Sequence, residues 1–423
     1  MKIKLNKPIP LKRLALLLMC MLLSQVLLQA QSRKPSKGAA TALSKYAKID
    51  SIIKHFEDQG CFTGIVSISE KNVMTYNKAW GMASKELGVK NETYTKFEIG
   101  SISKQFCAAL ILMAESEGKI VLDSMLKKYL PYTAKAASGL GNVTIHQLLA
   151  MRSGIPSYDN FPNFITGVGR KIYTHEEFIM DQCAYPIAPA PGTAFDYSDG
   201  NYYILGAVVE KLYGKKYHEV LSEKIFKPLK MYDSGFLLES AYPNGGDTVK
   251  NLGDGYQPIT NKYDSLGLPI ASKYQRGAWI NMSDIAFSSG AIYMTGADFT
   301  KWAIALKNST ILPEKYTKQM FTEYSHDNVL TNYYPTKPGC PPTGYGYAMV
   351  ITHRPPLPGD TKPLKIYTHG GLTPGYASVG AIVDGHEITV FINANINSDA
   401  PLVMCTEIIN TLLGVPPNYG GLP

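Results

Sequence analysis

Charged residues are scarce in this 423-residue chain: Asp, Glu, Lys and Arg make up 18% of it, against about 25% in an ordinary globular domain. There are only six cysteines, widely spaced, with no C-x-x-C, which argues against a disulfide-framework fold or a zinc module. The eight histidines are equally scattered and no H-E-x-x-H occurs, so no metal site is expected. There is no Walker loop, no G-x-S-x-G elbow and no internal repeat, which excludes P-loop, α/β-hydrolase and solenoid readings. Gly (37) and Pro (27) follow no period, so the chain is not collagenous. With 45% hydrophobic residues and 28 tyrosines it has ample material for a buried core.

The basic excess is uneven. Residues 1–30 read as a secretory signal peptide: Lys2, Lys4, Lys7, Lys12 and Arg13, an apolar stretch from Leu14 to Leu28, and Ala30 at a cleavage position. Ser24 and Gln25 interrupt the stretch, and about 20 apolar residues are needed to span a bilayer, so an uncleaved anchor is the lesser reading and no stable membrane span is expected after cleavage. Cys20 as a lipid-modified residue is disfavoured by Met19 before it. The leader holds five basic residues and no acid, so the net charge falls from +8 to +3 without it, and charge gives no case for nucleic-acid binding. The Ser/Ala/Lys-rich stretch 31–45 reads as a flexible linker. Cys61, Cys107, Cys183, Cys340 and Cys405 are expected to be buried small hydrophobes.

Pattern predicts a helix over Lys48–Glu57, then strands Phe62–Ser69 and Val73–Trp80 joined by a turn at Lys71-Asn72. Ser101–Glu115 reads as a helix buried on most sides, because Phe106–Ala114 carries no charge. The middle reads as helical and loop-rich: Ile145–Met151, His175–Ala184, Tyr202–Leu212 closed by Gly214, and His218–Phe226. Strands return at Leu364–His369, Tyr376–Val383 and Glu387–Asn393, the last two joined at Asp384-Gly385, before a helix over Ala400–Leu413. The expected fold is α+β, one antiparallel sheet built from both chain ends and flanked by helices. Residues 46–96 and 285–423 form the sheet region, 97–284 a mostly helical insertion, with the catalytic cleft between them.

Three motifs carry candidate chemistry. S-x-x-K occurs four times, at Ser51/Lys54, Ser101/Lys104, Ser116/Lys119 and Ser124/Lys127, so spacing alone decides nothing. Only Ser101 begins the buried helix, where Lys104 lies on the same face and loses solvation, favouring its neutral, basic form. The helix start also offers N–H groups to a developing oxyanion. The competing reading is a Ser N-cap beside a snorkelling Lys. The second motif is Tyr197-Ser198-Asp199 before a helix, where a tyrosine shuttles a proton if a cation lies near and Asp199 doubles as an N-cap candidate. The third is His369-Gly370-Gly371, placed at a strand end, where glycines let a substrate backbone approach.

The order of the three, with FEIGSISK at Phe97–Lys104, TIHQLLAMRSG at Thr144–Gly154, PGTAFDYSDGNYYILG at Pro191–Gly206, IFKPLKM at Ile225–Met231 and GAIYMTGADFTKW at Gly290–Trp302, closely resembles the penicillin-recognising serine hydrolases. That family takes in class C β-lactamases, D-alanyl-D-alanine carboxypeptidases and related esterases. The resemblance covers about residues 50 to 415. It implies a β-lactamase/transpeptidase-like fold, acylation of Ser101, proton transfer shared by Lys104 and Tyr197, and an oxyanion held by the backbone N–H groups of Ser101 and Leu372. Asp199, His369 and Gly371 would bind substrate, with no cofactor.

Two departures bear on substrate. Asp199 stands where the family usually has Asn, so an ionised side chain only accepts hydrogen bonds and holds Lys104 as a cation, a poorer base. His369 stands where class C β-lactamases have Lys, closer to the carboxypeptidase and esterase branches. Titrating near ~6.5, it would make carboxylate recognition pH-dependent; the alternative is a neutral ring that holds the strand edge. The expected activity is hydrolysis of an ester or amide in a small-molecule or peptide substrate, peptidoglycan-derived peptides among them. A D-amino-acid peptidase or carboxypeptidase comes first, an esterase second and β-lactam hydrolysis third. The rivals are a penicillin-binding or peptidoglycan-sensing module with little turnover, and a purely structural exported protein. The expected location is periplasmic or secreted.

Overall fold

The computed structural model describes residues 37–160, 164, 166–238, 249–278, 282–326 and 343–416. The leader at 1–30 and Cys340 lie outside the described residues. The chain divides into two units, residues 1–48 and 49–423.

The larger unit is built on a seven-stranded antiparallel sheet. Its strands are β1 (Gly64–Glu70), β2 (Val73–Trp80), β3 (Thr343–Tyr345), β4 (Val350–Arg354), β5 (Leu364–Thr373), β6 (Tyr376–Val383) and β7 (Ile388–Ala394), in the spatial order β3-β4-β5-β6-β7-β1-β2. β1 from the start of the chain pairs with β7 from its end, Gly64 opposite Ala394 through Glu70 opposite Ile388. The α+β fold and the sheet from both chain ends are therefore as expected. Lys71 and Asn72 both adopt positive φ in the β1–β2 turn, as a tight hairpin requires. β3 and β4 are strands that the sequence reading lacked.

β6 and β7 are buried along their whole lengths, so both faces of the sheet centre are covered rather than one. Helix α4 (Gly296–Lys307) lays Phe299 against Phe391, ring centroids 4.3 Å apart. Helix α5 (Ala400–Leu413), at the bounds expected, packs on β6 and β7. Helix α1 runs Lys37–Asp58, so it starts inside the stretch expected as a linker; Ala and Lys, which suggested flexibility, are also strong helix formers.

Helix α2 (Ser103–Ser116) is buried from Ser103 through Ala114. Phe106 stacks on Trp302 of α4 at 4.2 Å, and the Trp302 indole donates to Gln105 Oε1 at 3.0 Å, which fixes both the depth and the rotation of α2. Helix α3 (Asp199–Tyr213) packs along it and ends at Gly214 with φ 62°. Two expected helices continue as π-helical turns, His175–Phe178 into Ile179–Cys183 and Tyr217–Leu221 into Ser222–Phe226. Cys61, Cys107, Cys183 and Cys405 are free and buried.

Candidate active site

Ser101 does not start the α-helix, as expected, but sits in a 3-10 turn, Gly100–Ile102, ahead of α2. Gly100 holds φ +50°, a conformation that costs a side-chain-bearing residue energy. A Cβ there would lie 2.7 Å from the Leu372 nitrogen, and one on Gly371 would lie 1.9 Å from the Ile99 carbonyl oxygen. The two glycines thus let the Ser101 turn and β5 touch backbone to backbone. Ser378 of β6 ties them further, its hydroxyl donating to the Ile99 carbonyl at 2.8 Å.

Lys104 lies one turn on, with no exposed surface. Its Nζ donates to Ser101 Oγ at 2.8 Å and to the Ser289 carbonyl at 3.0 Å, and forms an ion pair with Asp199. The same Nζ stands 5.1 Å from the centre of the Tyr197 ring. An ammonium in such a setting needs all of these partners, because burial without them disfavours the charge. Ser198, rather than Asp199, caps α3: it has extended backbone and its hydroxyl accepts from the Gly200 N–H at 3.2 Å. That frees the Asp199 carboxylate to face Lys104.

The third motif lies within a strand rather than at its end. β5 runs on through His369, Gly370 and Gly371, which face Gly380, Val379 and Ser378 of β6, and the turn comes at Pro374-Gly375. His369 is buried, with Nδ1 2.6 Å from the Gly370 carbonyl and Nε2 3.2 Å from the Tyr345 hydroxyl. Burial, aided by the Lys104 charge and opposed by the Gly370 carbonyl, pushes its pKa down to about 3. His369 is therefore neutral at neutral pH, and the expectation that it titrates near 6.5 against a substrate carboxylate is replaced by the alternative, a ring that holds the strand edge.

These groups line one cleft of about 230 Å³, to which Ser101, Asp159, Tyr197, Tyr345, His369–Leu372, Ser378 and Asp399 all contribute. Of the residues expected at the site, Ser101, Tyr197, His369, Gly371 and Leu372 reach the cleft directly, and Lys104 and Asp199 stand behind Ser101. The family model described as Beta-lactamase matches residues 49–407. The chain belongs to the Beta-lactamase family.

Members similar to it include PbpX of Bacillus subtilis (strain 168), described as a penicillin-binding protein, 24% identical over 90% of this chain and 82% of that protein. Teichoic acid D-alanine hydrolase of Staphylococcus aureus is 27% identical over 66% of this chain, which spans only 62% of that protein's length. Among solved structures, the octameric penicillin-binding protein homologue from Pyrococcus abyssi has a TM-score of 0.70 at 25% identity, over 88% of this chain and 78% of that one. D-amino acid amidase from Ochrobactrum anthropi SV3 shares the fold, with a TM-score of 0.68 at 20% identity over 86% and 97% of the two chains. The β-lactamase-family chain described here is thus a member of a hydrolase family. No helix among its described residues is long and apolar enough to cross a membrane.

Several cleft residues escaped the sequence reading. Tyr345 arrives on the short strand β3, Phe195 packs on it with centroids 5.1 Å apart, and Asp159 is brought in by Ser157. The Ser157 hydroxyl accepts from the Asp199 N–H at 2.9 Å and donates to the Asp159 carboxylate. Only Phe195 had a local signal, since it lies two residues before Tyr197.

Proposed function

We propose that the protein is an exported serine hydrolase that cleaves an ester or amide of a D-amino-acid-derived substrate through a Ser101 acyl-enzyme. The observation that carries this reading is the 2.8 Å contact between Ser101 Oγ and the Nζ of a fully buried Lys104. Oγ attacks the substrate carbonyl carbon and its proton passes to Lys104 in its neutral form, with Tyr197 at the same amine. The oxyanion sits between the N–H groups of Ser101 and Leu372, whose chain segments the two glycines bring together. The proton then goes to the leaving alcohol or amine, and water attacks the acyl-serine to release the acid. Such chemistry needs no cofactor. The relatives named for D-alanine hydrolysis and D-amino acid amide chemistry support the substrate class. The sequence reading of 1–30 as a leader supports a reaction in the periplasm or outside the cell, and on the proposed division the sheet region 46–96 and 285–423 and the insertion 97–284 both contribute residues to the cleft.

The Lys104–Asp199 ion pair favours one second reading: a module that acylates slowly and turns over little, because a cationic Lys104 donates to Ser101 rather than accepting from it. A fluorophosphonate probe, followed by peptide mapping, tests the nucleophile. Label on Ser101, lost in Ser101→Ala, is the expected result; label elsewhere overturns the assignment. Steady turnover of a D-alanyl ester after the acylation burst separates the hydrolase from the slow module.

A further inference from the structure

The charge inventory of the cleft narrows the substrate class further, and this step rests on the hydrolase reading above. Among the described residues that line the cleft there is no lysine or arginine, whereas the carboxylates of Asp159 and Asp399 do line it. The one cation behind it, Lys104, is already matched by Asp199. His369 is buried against Tyr345 and the Gly370 carbonyl and brings no charge. Among the described lining residues a substrate carboxylate meets no lysine or arginine to receive it, and the Asp159 carboxylate repels it.

Asp159 is the group placed to do the opposite. It is exposed at the cleft and its position is fixed by the Ser157 hydroxyl, which also holds the Asp199 backbone. The groups that face it are Asp199, Lys104 and Ser157. Its carboxyl is held above the ordinary aspartate range, first by the surrounding protein and then by the Asp199 charge, against the Ser157 hydrogen bond and Lys104. A substrate cation offsets both unfavourable contributions.

From this arrangement we infer that the cleft selects aminoacyl esters or amides with a free α-ammonium, received by Asp159, and disfavours substrates that present a free carboxylate. The α-ammonium of an aminoacyl group lies two bonds from the carbonyl carbon that Ser101 attacks, so it stays within the small volume beside the nucleophile. The inference moves the specificity away from a carboxypeptidase, which must accept a free C-terminus, and towards removal of an N-terminally free D-amino acid from an alcohol or amine.

The test compares three p-nitroanilides that differ only at nitrogen: D-alanyl, N-acetyl-D-alanyl and N-succinyl-D-alanyl. In the wild type kcat/KM should fall in that order, with the ammonium substrate ahead of the acetyl one on the order of ten-fold, the range of a charge-assisted hydrogen bond. In Asp159→Asn that ratio should collapse towards one, Asp159→Glu should restore it, and Asp159→Lys should move the succinyl substrate ahead of the others. Equal rates for all three in the wild type, or a ratio that Asp159→Asn leaves in place, would overturn the assignment. If no anilide is turned over, the matching amides are compared as protectors of Ser101 against the fluorophosphonate, with the same order expected. Absence of any label on Ser101 refutes the parent hydrolase reading instead.

Discussion

Asp199→Asn is the most informative single change. The substitution keeps the shape of the side chain but removes the anion that faces Lys104. Two like-sized charges about 4 Å apart attract by about 4 kcal/mol at an effective dielectric of 20. Part of that is offset in the wild type by the cost of burying both groups, and Asp199 keeps some exposure to solvent. Without the carboxylate, the Lys104 ammonium retains the Ser289 carbonyl and Ser101 Oγ, too little to hold its charge as firmly in a site with no exposed surface. A neutral Lys104 is the form that accepts the Ser101 proton, so removal of the paired anion favours acylation. At pH 7 labelling should be faster on the order of ten-fold, and acylation by a penicillin should gain as well from the amide donor. Unchanged or slower labelling by a well-folded variant would refute Lys104 as the base and leave Asp199 a structural partner.

Three further outcomes are expected. His369 is neutral when folded and free to charge when unfolded, so stability should fall as pH drops from ~6.5 toward its folded value of about 3; His369→Gln should flatten that limb of thermal melts against pH, and KM for a carboxylate-bearing substrate should show no step near 6.5. Buried Glu98 has the opposite sign: burial, opposed by the nearby Thr373 side chain, raises its carboxyl to about 7, so stability is lost as pH rises from about 4.5 to 7, by at most about 3 kcal/mol, and Glu98→Gln should abolish the loss. Gly371→Ala should reduce Ser101 labelling by at least about a hundred-fold, since its Cβ would lie 1.9 Å from the Ile99 carbonyl and force β5 off the Ser101 turn; labelling at the wild-type rate would mean that this contact does not set the proposed oxyanion geometry.

The parts of this molecule that were legible in sequence are those in which a local rule and the tertiary fold ask for the same residue. Lys71-Asn72 turns a hairpin because the flanking β1 and β2 twist in the sense that a positive-φ turn matches. The uncharged run Phe106–Ala114 is buried because every side of α2 meets another element. The α5 bounds follow from Pro401 at its start and Gly414 at its end. The site residues from the three motifs come together for the same reason, since each stands where a helix start or strand already fixes it. What was missed had no such local signature. β3 is three residues long and β4 five, too short for alternation to register, so Tyr345 stayed hidden. Asp159 is an ordinary loop aspartate in sequence, and only the Ser157 bridge to Asp199 makes it part of the cleft.

Gly370 and Gly371 show how one stretch of sequence can have a structural cause that its local pattern does not reveal. Paired glycines after a strand are ordinary turn punctuation, which is why the strand was expected to stop at His369. Sheet pairing overrides that local preference: β6 supplies partners for every residue up to Thr373, and Pro374-Gly375 makes the turn instead. The glycine at 371 is required by what crosses it, the Ile99 carbonyl on the approach to Ser101. Its partner in that contact, Gly100, needs both its positive φ and its missing side chain to bring the Leu372 nitrogen close. The Ser101 turn and a strand about 270 residues apart in sequence thus meet through two absent side chains, and such a meeting has no period or local composition by which the chain alone would disclose it.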